Sequence, residues 1–258
     1  FTPCDSAPLI ALRQLIAESA VAQSAQLPPM AAGVFGYLGY DMVRQMERLA
    51  PAKADWTGAP DALLVRPTIM VVFDTVRDEI ALVTPVRPRA GVGAKAAYEA
   101  ALERLDRIVA TLDAPLDHRE AGIDPALAAP GPTSNTPKSR FLDMVERAKE
   151  YIRAGDIFQV VLSQRFTAPF ALPAFALYRA LRRVNPAPFL CFLDFNDFQI
   201  VCSSPEILVR VAEGKVTIRP IAGTRWRSDV KAEDERLAAD LLADEKERAE
   251  HLMLLDLG

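Results

Sequence analysis

The sequence has few of the residues that build disulfide frameworks and multi-histidine metal centres. It contains 3 cysteines, Cys4, Cys191 and Cys202, and 2 histidines among 258 residues. An odd number of cysteines without a Cys-x-x-Cys pair argues against a disulfide framework and against a structural zinc site. Free cysteines are typical of a reducing compartment, so we expect a cytoplasmic protein.

Charge of one sign and long apolar runs are also scarce. The formal net charge is −4, and no dense lysine or arginine run is present, so we expect neither nucleic acid nor a membrane as a partner. No apolar run approaches the roughly 18 residues of a membrane span, and no signal peptide is recognisable. The sequence begins at Phe1 rather than at methionine and stops after an apolar helical run, so we expect a piece of a longer protein.

Periodic apolar residues predict both helices and strands. Helices are expected at residues 7–23, 94–112, 141–152, 173–184 and 233–257, and strands at residues 68–74, 79–83, 158–166, 189–195, 199–202, 207–211 and 215–219. Short turns join consecutive strands, which implies antiparallel pairing. We therefore expect an α+β protein in which helices flank a large antiparallel sheet.

Two segments lack regular periodicity. Residues 113–138 contain 5 prolines and 2 glycines, which predicts a linker and a domain boundary between residues 1–138 and residues 139–258. Residues 33–41 are rich in glycine and aromatic residues, but they lack the lysine of a phosphate loop and the spacing of a dinucleotide-binding loop. Close packing of this backbone beside a strand is the more ordinary interpretation.

The last predicted helix carries two glutamates, Glu247 and Glu250, on one face because they are three residues apart. Mg²⁺ prefers oxygen ligands and is often bound by one or two carboxylates together with water and substrate oxygens. The same residues fit a solvent-exposed acidic face that is stabilised by Lys246–Glu250 and Asp244–Arg248 ion pairs. The spacing alone therefore leaves both a metal site and a solvated helix face open.

A turn that is suited to bind an anion precedes this helix. Gly223 and Thr224 follow a predicted strand and offer a hydroxyl group and unhindered backbone N–H groups, which suit a carboxylate. An ordinary strand-to-loop turn is the alternative. In the helix itself, the period places Leu241 and Leu252 on an apolar face opposite to the two glutamates.

Five ordered motifs together resemble the chorismate-utilising enzymes. They are Ser204-Pro205-Glu206, Pro220-Ile221-Ala222-Gly223-Thr224-Arg225, Lys246-Glu247-x-x-Glu250-His251-x-Met253-Leu254, Gly155-Asp156-Ile157-Phe158-Gln159 and Asn185-Pro186-x-Pro188-Phe189. The resemblance is strong from Phe141 onward and weaker before it. It implies the chorismate-binding α+β fold, in which residues 139–258 would form the N-terminal half of the catalytic domain.

The resemblance implies a role for each matched residue. Glu250 matches a Mg²⁺ ligand, and Glu247 matches a residue beside the metal. Gly223 and Thr224 match residues that contact chorismate, and Glu206 matches the acid that protonates the departing ring hydroxyl. The expected site therefore comprises Glu206, Thr224 and Glu247 as catalytic residues, Gly223 and Thr224 as substrate-binding residues, and Glu250 as the metal ligand.

Two positions distinguish the members of this family. Isochorismate- and salicylate-forming members carry a lysine base where this sequence has Gln159, and aminodeoxychorismate synthases commonly carry a nucleophilic lysine where it has Ala222. Neither residue can take over that chemistry. This combination resembles component I of anthranilate synthase, the large chorismate-binding subunit.

The Asn185-Pro186-x-Pro188-Phe189 motif resembles part of the pocket in which family members bind L-tryptophan as a feedback inhibitor. Its residues here are Asn185, Pro188, Phe189 and Leu190. A helix end followed by a buried strand explains the same residues without a ligand. The N-terminal Leu-Leu-Glu-Ser-type segment that completes the pocket in the family is absent from this sequence.

The resemblance also implies a reaction, in which the full-length protein converts chorismate and ammonia to anthranilate and pyruvate for tryptophan biosynthesis. A glutamine amidotransferase subunit would supply the ammonia within a hetero-oligomer. The family's catalytic histidine and second pair of metal-binding glutamates follow the segment that ends here at Asp256-Leu257. We therefore expect the fold to be incomplete at its C-terminal side and this chain alone to be inactive. The alternatives are an aminodeoxychorismate synthase and a non-catalytic fragment that binds tryptophan or chorismate.

Overall fold

Helices and antiparallel strand pairs form the described part of the chain. The computed structural model describes residues 4–21, 27–28, 30–51, 55, 57–116 and 131–258. The chain divides into two compact units, residues 1–120 and residues 121–258. The domain boundary after residue 138 stays a prediction, because residues 117–130 of the expected linker lie outside the described residues.

The first unit combines helices with two strand pairs. Helix α1 spans Pro8–Ser19, a 3₁₀ helix spans Tyr40–Gln45, and helix α2 spans Ala94–Asp113. Strands β1 (Phe35–Leu38) and β2 (Ala62–Val65) pair antiparallel, as do strands β3 (Met70–Asp74) and β4 (Glu79–Val83). The β3–β4 hairpin and helix α2 confirm the sequence predictions. Residues 22–23 of the first predicted helix lie outside the described residues.

The glycine-rich segment at residues 33–41 packs its backbone closely against a neighbouring strand. Gly36 in β1 pairs with Leu64 in β2, and its φ of +154° lies in a range that L side chains rarely adopt. A Cβ atom at Gly36 would overlap the carbonyl oxygen of Leu63. Backbone packing beside a strand is therefore confirmed for this segment.

The second unit contains the elements that carry the predicted site. Helix α3 spans Lys138–Ala154, α4 spans Ala174–Val184, α5 spans Lys231–Ala243, and α6 spans Glu245–Leu257. Three antiparallel pairs join β5 (Thr133–Ser134) to β6 (Phe166–Thr167), β7 (Phe189–Asp194) to β8 (Gln199–Ser204), and β9 (Arg210–Ala212) to β10 (Lys215–Thr217). The last two pairs are the hairpins that the sequence predicts.

Aromatic packing joins helix α4 to the β7–β8 hairpin. The rings of Phe175 and Tyr178 in α4 lie with their centroids 5.2 and 5.9 Å from that of Phe192 in β7. Such ring pairs stabilise the folded state by more than the burial of their apolar surface alone would. They hold the hairpin against helix α4, which ends at Asn185, and strand β8 of this hairpin leads into Glu206.

Three predicted elements are wrong in their extent, one of them the strand expected at residues 207–211, of which only residues 210–211 belong to β9. In the described structure residues 158–165 form no strand, and only Phe166–Thr167 pairs, as β6, because a strand exists only where a second strand supplies hydrogen bonds. The helix that we expect at residues 233–257 is interrupted at Asp244, whose ψ of 112° is not helical. The Asp244 side chain accepts hydrogen bonds from the N–H groups of Lys246 and Glu247, so a new helix begins at Glu245.

The α+β class is confirmed, and the described strands pair antiparallel as expected. Within the described residues they form five two-stranded sheets rather than one large sheet. Burial is sparse, since Ala31, Met42 and Ala101 are the apolar residues that the described structure buries. Large side chains such as Phe158 and Leu208 stay 84% and 90% exposed. Among the described helices, none is both long enough and apolar enough to cross a bilayer.

Candidate active site

The turn at Gly223 lies directly against helices α5 and α6. An ideal Cβ atom on Gly223 would lie 2.6 Å from Oε2 of Glu247 and 2.9 Å from Cδ1 of Leu241. Both distances are shorter than normal contacts, so a side chain at this position would force its neighbours to shift. Two residues that the sequence predicts for the site, Gly223 and Glu247, are therefore direct neighbours.

A cavity opens beside this contact. It has a volume of about 450 Å³, and its lining includes Ala222, Gly223, Leu241, Glu247 and His251. The expectation that Leu241 and Glu247 lie on opposite sides is wrong, because one helical period does not continue through the break between α5 and α6. Glu247 is half-buried at a partly apolar cavity rather than on a fully solvated helix face.

Glu250 is held by a contact with a distant part of the sequence. Nε2 of Gln159 donates a hydrogen bond to Oε1 of Glu250 at 3.4 Å, although 91 residues separate them. Of the two ion pairs that would characterise a solvated face, neither Lys246–Glu250 nor Asp244–Arg248 occurs among the ion pairs of the described residues. The half-buried carboxylate of Glu250 is therefore oriented by an amide group rather than by a lysine.

Glu206 is hydrogen-bonded to Ile221, two residues before Gly223 in the same turn. Its Oε1 accepts a hydrogen bond from the backbone N–H of Ile221 at 2.9 Å. The side chain of Ser204 braces the loop, since its Oγ donates to the carbonyl of Glu206 at 3.0 Å and accepts from the N–H of Glu206 at 3.3 Å. A second cavity of about 470 Å³ is lined by Glu206 and Leu254, among others, and it shares Pro220 and Ile221 with the first cavity.

Arg225 ties the turn to both helices, although no pattern in the sequence predicts this role. Its side chain donates to Oδ2 of Asp240 at 2.7 Å and to Oδ2 of Asp244 at 2.8 Å. The pattern Asp244-x-x-Glu247, in which a capping residue precedes a glutamate by three positions, could have revealed the start of α6. No comparable pattern points to Arg225, because 15 and 19 residues separate it from its two partners.

These contacts shift the protonation equilibria of the groups that make them. The N–H of Glu247, followed by the guanidinium of Arg225, lowers the pKa of the Asp244 carboxyl group below its ordinary value. Hydrogen bonds to Asp240 and then to Asp244 raise the pKa of Arg225. The charged forms of both partners are therefore favoured in the folded protein.

The predicted inhibitor residues lie between the end of α4 and the start of the β7–β8 hairpin, and none of them lines the two cavities described above. Asn185 ends helix α4, and its carbonyl oxygen accepts a hydrogen bond from Oγ of Ser203 at 2.9 Å. Leu190 pairs with Ser203 across the two strands, and Phe189 pairs with Ser204. Since Ser204 braces the Glu206 loop, the two predicted sites are joined by consecutive residues of β8.

The acidic residues present fit a magnesium ion that shares its ligands with a substrate. Within the described residues no group of three or more histidine, cysteine, aspartate and glutamate side chains could hold a metal on its own. Glu247 and Glu250 nevertheless supply two half-buried carboxylates on one helix. Mg²⁺ commonly takes one or two carboxylates and completes its shell with water and substrate oxygens.

This chain is similar to proteins of one family along almost its whole length. The family described as chorismate binding enzyme matches residues 6–258. Anthranilate synthase component 1 of Cereibacter sphaeroides is 52% identical over 260 residues, which cover 100% of this chain and 51% of that protein. Anthranilate synthase component 1 of Thermus thermophilus is 46% identical over 235 residues, which cover 90% of this chain and 48% of that protein.

A solved structure is similar over almost all of this chain. The crystal structure of anthranilate synthase component I from Streptococcus pneumoniae matches it with a TM-score of 0.83 and a sequence identity of 36%. The match covers 99% of this chain and 54% of that chain. The chain thus spans about half the length of the curated relatives it matches.

Proposed function

Because this chain belongs to the chorismate binding enzyme family, we propose that the full-length protein forms anthranilate and pyruvate from chorismate and ammonia. The observation that carries this proposal is the contact of Gly223 with Glu247, with Glu206 hydrogen-bonded to the same turn. Two distant segments of the sequence, one with Glu206 and one with Glu247, thereby meet at one turn. The relatives that share these segments are anthranilate synthase components.

Gly223 and Thr224 are the proposed substrate-binding residues. The absence of a side chain at Gly223 lets the turn pack directly against Glu247, and Thr224 is exposed, so its hydroxyl group is accessible. Glu247 lies against the turn, and Glu250 follows three residues later on the same helix. A carboxylate of the substrate would be repelled by these two glutamates unless a cation lay between them. This charge balance is the physical reason to expect Mg²⁺ at the site.

Glu250 is the proposed metal ligand, with Glu247 beside it. When bound, Mg²⁺ would neutralise the negative charge that the substrate and the two glutamates bring together. Gln159 orients Glu250 through its hydrogen bond to Oε1, in the way that neighbours of metal ligands usually do. Glu247 lies against the turn, where it can orient water or substrate.

Glu206 is the proposed acid. Only its Oε1 takes part in the bond to Ile221, so the second oxygen can protonate the ring hydroxyl as that group leaves. Ammonia forms the new C–N bond as the protonated hydroxyl leaves as water. The ring carbon that bears the amine then loses its proton while the C–O bond to the enolpyruvyl group breaks, which makes the ring aromatic, and the released enolpyruvate takes up a proton to become pyruvate. Ala222 lines the cavity beside Glu247 and has no nucleophilic group, which favours direct attack by ammonia over a covalent route.

The remaining parts of the proposal concern the whole protein. A glutamine amidotransferase subunit would supply ammonia within a hetero-oligomer, and the complex would work in the cytoplasm. L-tryptophan would bind as a feedback inhibitor at Asn185, Pro188, Phe189 and Leu190. Residues 1–138 would form an N-terminal portion, and residues 139–258 would form the first half of the catalytic domain.

The test is to identify the product of the full-length protein. We expect chorismate, an ammonium salt and Mg²⁺ to yield anthranilate, recognised by its fluorescence and mass. If 4-amino-4-deoxychorismate were the sole product, the protein would be an aminodeoxychorismate synthase instead. If calorimetry detected tryptophan binding but chorismate were not consumed, the protein would be a non-catalytic binding protein.

A further inference from the structure

Arg225 connects three elements of the second unit through one guanidinium group. Its Nε donates to Oδ2 of Asp240 at 2.7 Å, and its Nη2 donates to Oδ2 of Asp244 at 2.8 Å. Its Nη1 donates to the backbone carbonyl of Thr224 at 3.1 Å. Asp240 lies in the last turn of α5, Asp244 caps α6, and Thr224 belongs to the turn, so all three guanidinium nitrogens are engaged.

Asp244 transmits this restraint to helix α6. While Oδ2 pairs with Arg225, Oδ1 accepts hydrogen bonds from the N–H groups of Lys246 at 3.0 Å and Glu247 at 3.1 Å. One carboxylate thus fixes the first turn of α6 relative to Arg225. The side chains of Arg225 and Asp244 are 24% and 33% exposed, so water screens this pair less than a pair on the open surface.

The close contact of Gly223 with Glu247 limits how near the turn can come to α6, but it does not stop the turn from moving away. Glycine has more backbone freedom than any other residue, and Gly223 presents no side chain that could act as a spacer. The turn is instead held at its two ends, by the bond from Ile221 to Glu206 and by the contacts of Arg225. Without the contacts of Arg225, the bond from Ile221 to Glu206 would be the remaining hydrogen-bond restraint on the turn.

We propose that Arg225 is a positioning residue that sets the spacing between the Gly223–Thr224 turn and the carboxylate of Glu247. Its catalytic consequence rests on the function proposed above, whereas the restraint itself does not. Lysine cannot replace it, because one compact ammonium group does not present donors to three acceptors in the fixed planar arrangement of a guanidinium.

Arg227 offers a matched control two residues away. It forms a two-bond ion pair with Asp234, with Nε to Oδ1 at 2.7 Å and Nη2 to Oδ2 at 2.8 Å. Asp234 lies in the first turn of α5, at the opposite end from Asp240. Arg227→Ala therefore removes an arginine–aspartate pair from the same helix without removing a contact to the turn or to α6.

Steady-state kinetics of the full-length protein test the consequence for catalysis. For Arg225→Ala we expect kcat/KM for chorismate to fall roughly 10²-fold, which is what a displacement of about 1 Å costs. Arg225→Lys, which keeps one ion pair, should lose less, and millimolar guanidinium should restore part of the activity of Arg225→Ala. Arg227→Ala should stay within about twofold of the unaltered protein. Unchanged kinetics for Arg225→Ala, or an equal loss in both alanine variants, would overturn the proposal.

Amide hydrogen exchange of the same variants tests the restraint without any turnover. Arg225→Ala should accelerate exchange at residues 221–224 and at residues 245–248, whereas Arg227→Ala should affect only the start of α5. If even the unaltered protein made no anthranilate, the proposed function would fail and the exchange pattern would still decide the restraint. Unchanged exchange at the turn and at α6 in Arg225→Ala would overturn the proposal even if its activity fell.

Discussion

Glu206 accepts a hydrogen bond from the backbone N–H of Ile221 at 2.9 Å, although 15 residues separate them. The β9–β10 hairpin lies between these two residues in the sequence, so the bond closes a long loop. It places the proposed acid and the proposed substrate-binding turn in one hydrogen-bonded unit. A displacement of the Glu206 loop must therefore displace the turn.

Substitution can separate the two roles of Glu206, as acceptor of the Ile221 hydrogen bond and as the proposed proton donor. Glu206→Gln keeps an oxygen that can accept the Ile221 hydrogen bond, but it has no acidic proton to give. We expect kcat for anthranilate formation to fall roughly 10²- to 10⁴-fold, the usual contribution of a positioned general acid. Fluorescence of anthranilate measures the rate in the full-length protein.

Glu206→Ala and Glu235→Gln are the comparisons for this prediction. Alanine removes the acceptor as well as the acid, so amide exchange at Ile221 should accelerate in Glu206→Ala and not in Glu206→Gln. Glu235 is exposed on α5, and its glutamine variant loses the same charge without an effect on kcat. A Glu206→Gln protein with normal kcat would exclude Glu206 as the acid.

Glu250→Gln tests the proposed metal ligand. The substitution preserves the shape of the side chain and an oxygen for the Gln159 contact, but it removes the charge that Mg²⁺ requires. We expect Mg²⁺-dependent turnover to be abolished while the far-ultraviolet circular dichroism and the melting temperature stay close to those of the unaltered protein. Glu245→Gln, at the exposed start of the same helix, should respond normally to a Mg²⁺ titration. Equal Mg²⁺ responses in both variants would refute the ligand assignment.

Elements that depend on near neighbours could be predicted from the sequence. The two hairpins β7–β8 and β9–β10 follow from short polar turns, and Asn196, Glu213 and Gly214 adopt the positive φ angles of 68°, 52° and 75° that such turns require. Gly155 ends helix α3 with a φ of 79°, as a glycine after a helix is expected to do. In each case the signal lies within a few residues.

Contacts between distant segments could not be predicted in this way. The motifs identified Gln159, Glu206 and Glu250, but the bond between Gln159 and Glu250 spans 91 residues, and no spacing rule connects them. The strand expected at residues 158–165 does not form for a related reason. Its composition suits a strand, but its pairing depends on a partner elsewhere in the chain. The pattern Asp244-x-x-Glu247 indicates the break at Asp244, whereas the absence of glycine and proline from residues 233–257 predicts one continuous helix.

Gly223→Ala tests the close contact between the turn and the helices. The added Cβ would lie 2.6 Å from Oε2 of Glu247 and 2.9 Å from Cδ1 of Leu241, so one of these groups must move. We expect the free energy of unfolding to fall by about 1–3 kcal/mol, as for other overpacked positions, together with a loss of kcat. Gly131→Ala is the control, because its Cβ would have nothing within 4 Å. Equal denaturant midpoints for the two variants would contradict the contact.

The pH dependence of stability tests the role of Asp244. Its pKa is lowered in the folded protein by the N–H of Glu247 and by Arg225, so its ionised form stabilises the fold above about pH 3.9, the ordinary value for aspartate. This contribution is lost as the pH falls through the lower pKa of the folded state. Asp244→Asn keeps a capping oxygen but no charge, so its melting temperature should fall less steeply below pH 4 than that of the unaltered protein.

Asp244→Ala completes this prediction. It removes the cap as well as the charge, so its melting temperature should be lower than that of Asp244→Asn at neutral pH. Thermal scans between pH 2 and pH 7 measure both effects. If all three proteins lost stability in parallel below pH 4, Asp244 would not be among the carboxyl groups responsible for the acid transition.

Ser203 tests whether the predicted inhibitor residues influence Glu206 through strand β8. Its Oγ donates to the carbonyl of Asn185 at 2.9 Å, and the next residue, Ser204, braces the Glu206 loop. Ser203→Ala removes the first bond without touching Glu206. One such hydrogen bond is worth about 0.5–1.5 kcal/mol, so the tryptophan concentration for half-inhibition should rise roughly 2- to 10-fold, with kcat unchanged when tryptophan is absent.

Ser139→Ala is the matched control for this prediction, because Ser139 lies on the exposed surface of α3. It should leave both kcat and the half-inhibiting concentration unchanged. Calorimetric titration with tryptophan separates weaker binding from weaker coupling: a raised Kd in Ser203→Ala means that the bond shapes the pocket, whereas an unchanged Kd with reduced inhibition means that it transmits the signal. If Ser203→Ala were inhibited as strongly as the unaltered protein, the end of α4 would have to act on Glu206 through other contacts of the β7–β8 hairpin, such as those of Phe175 with Phe192.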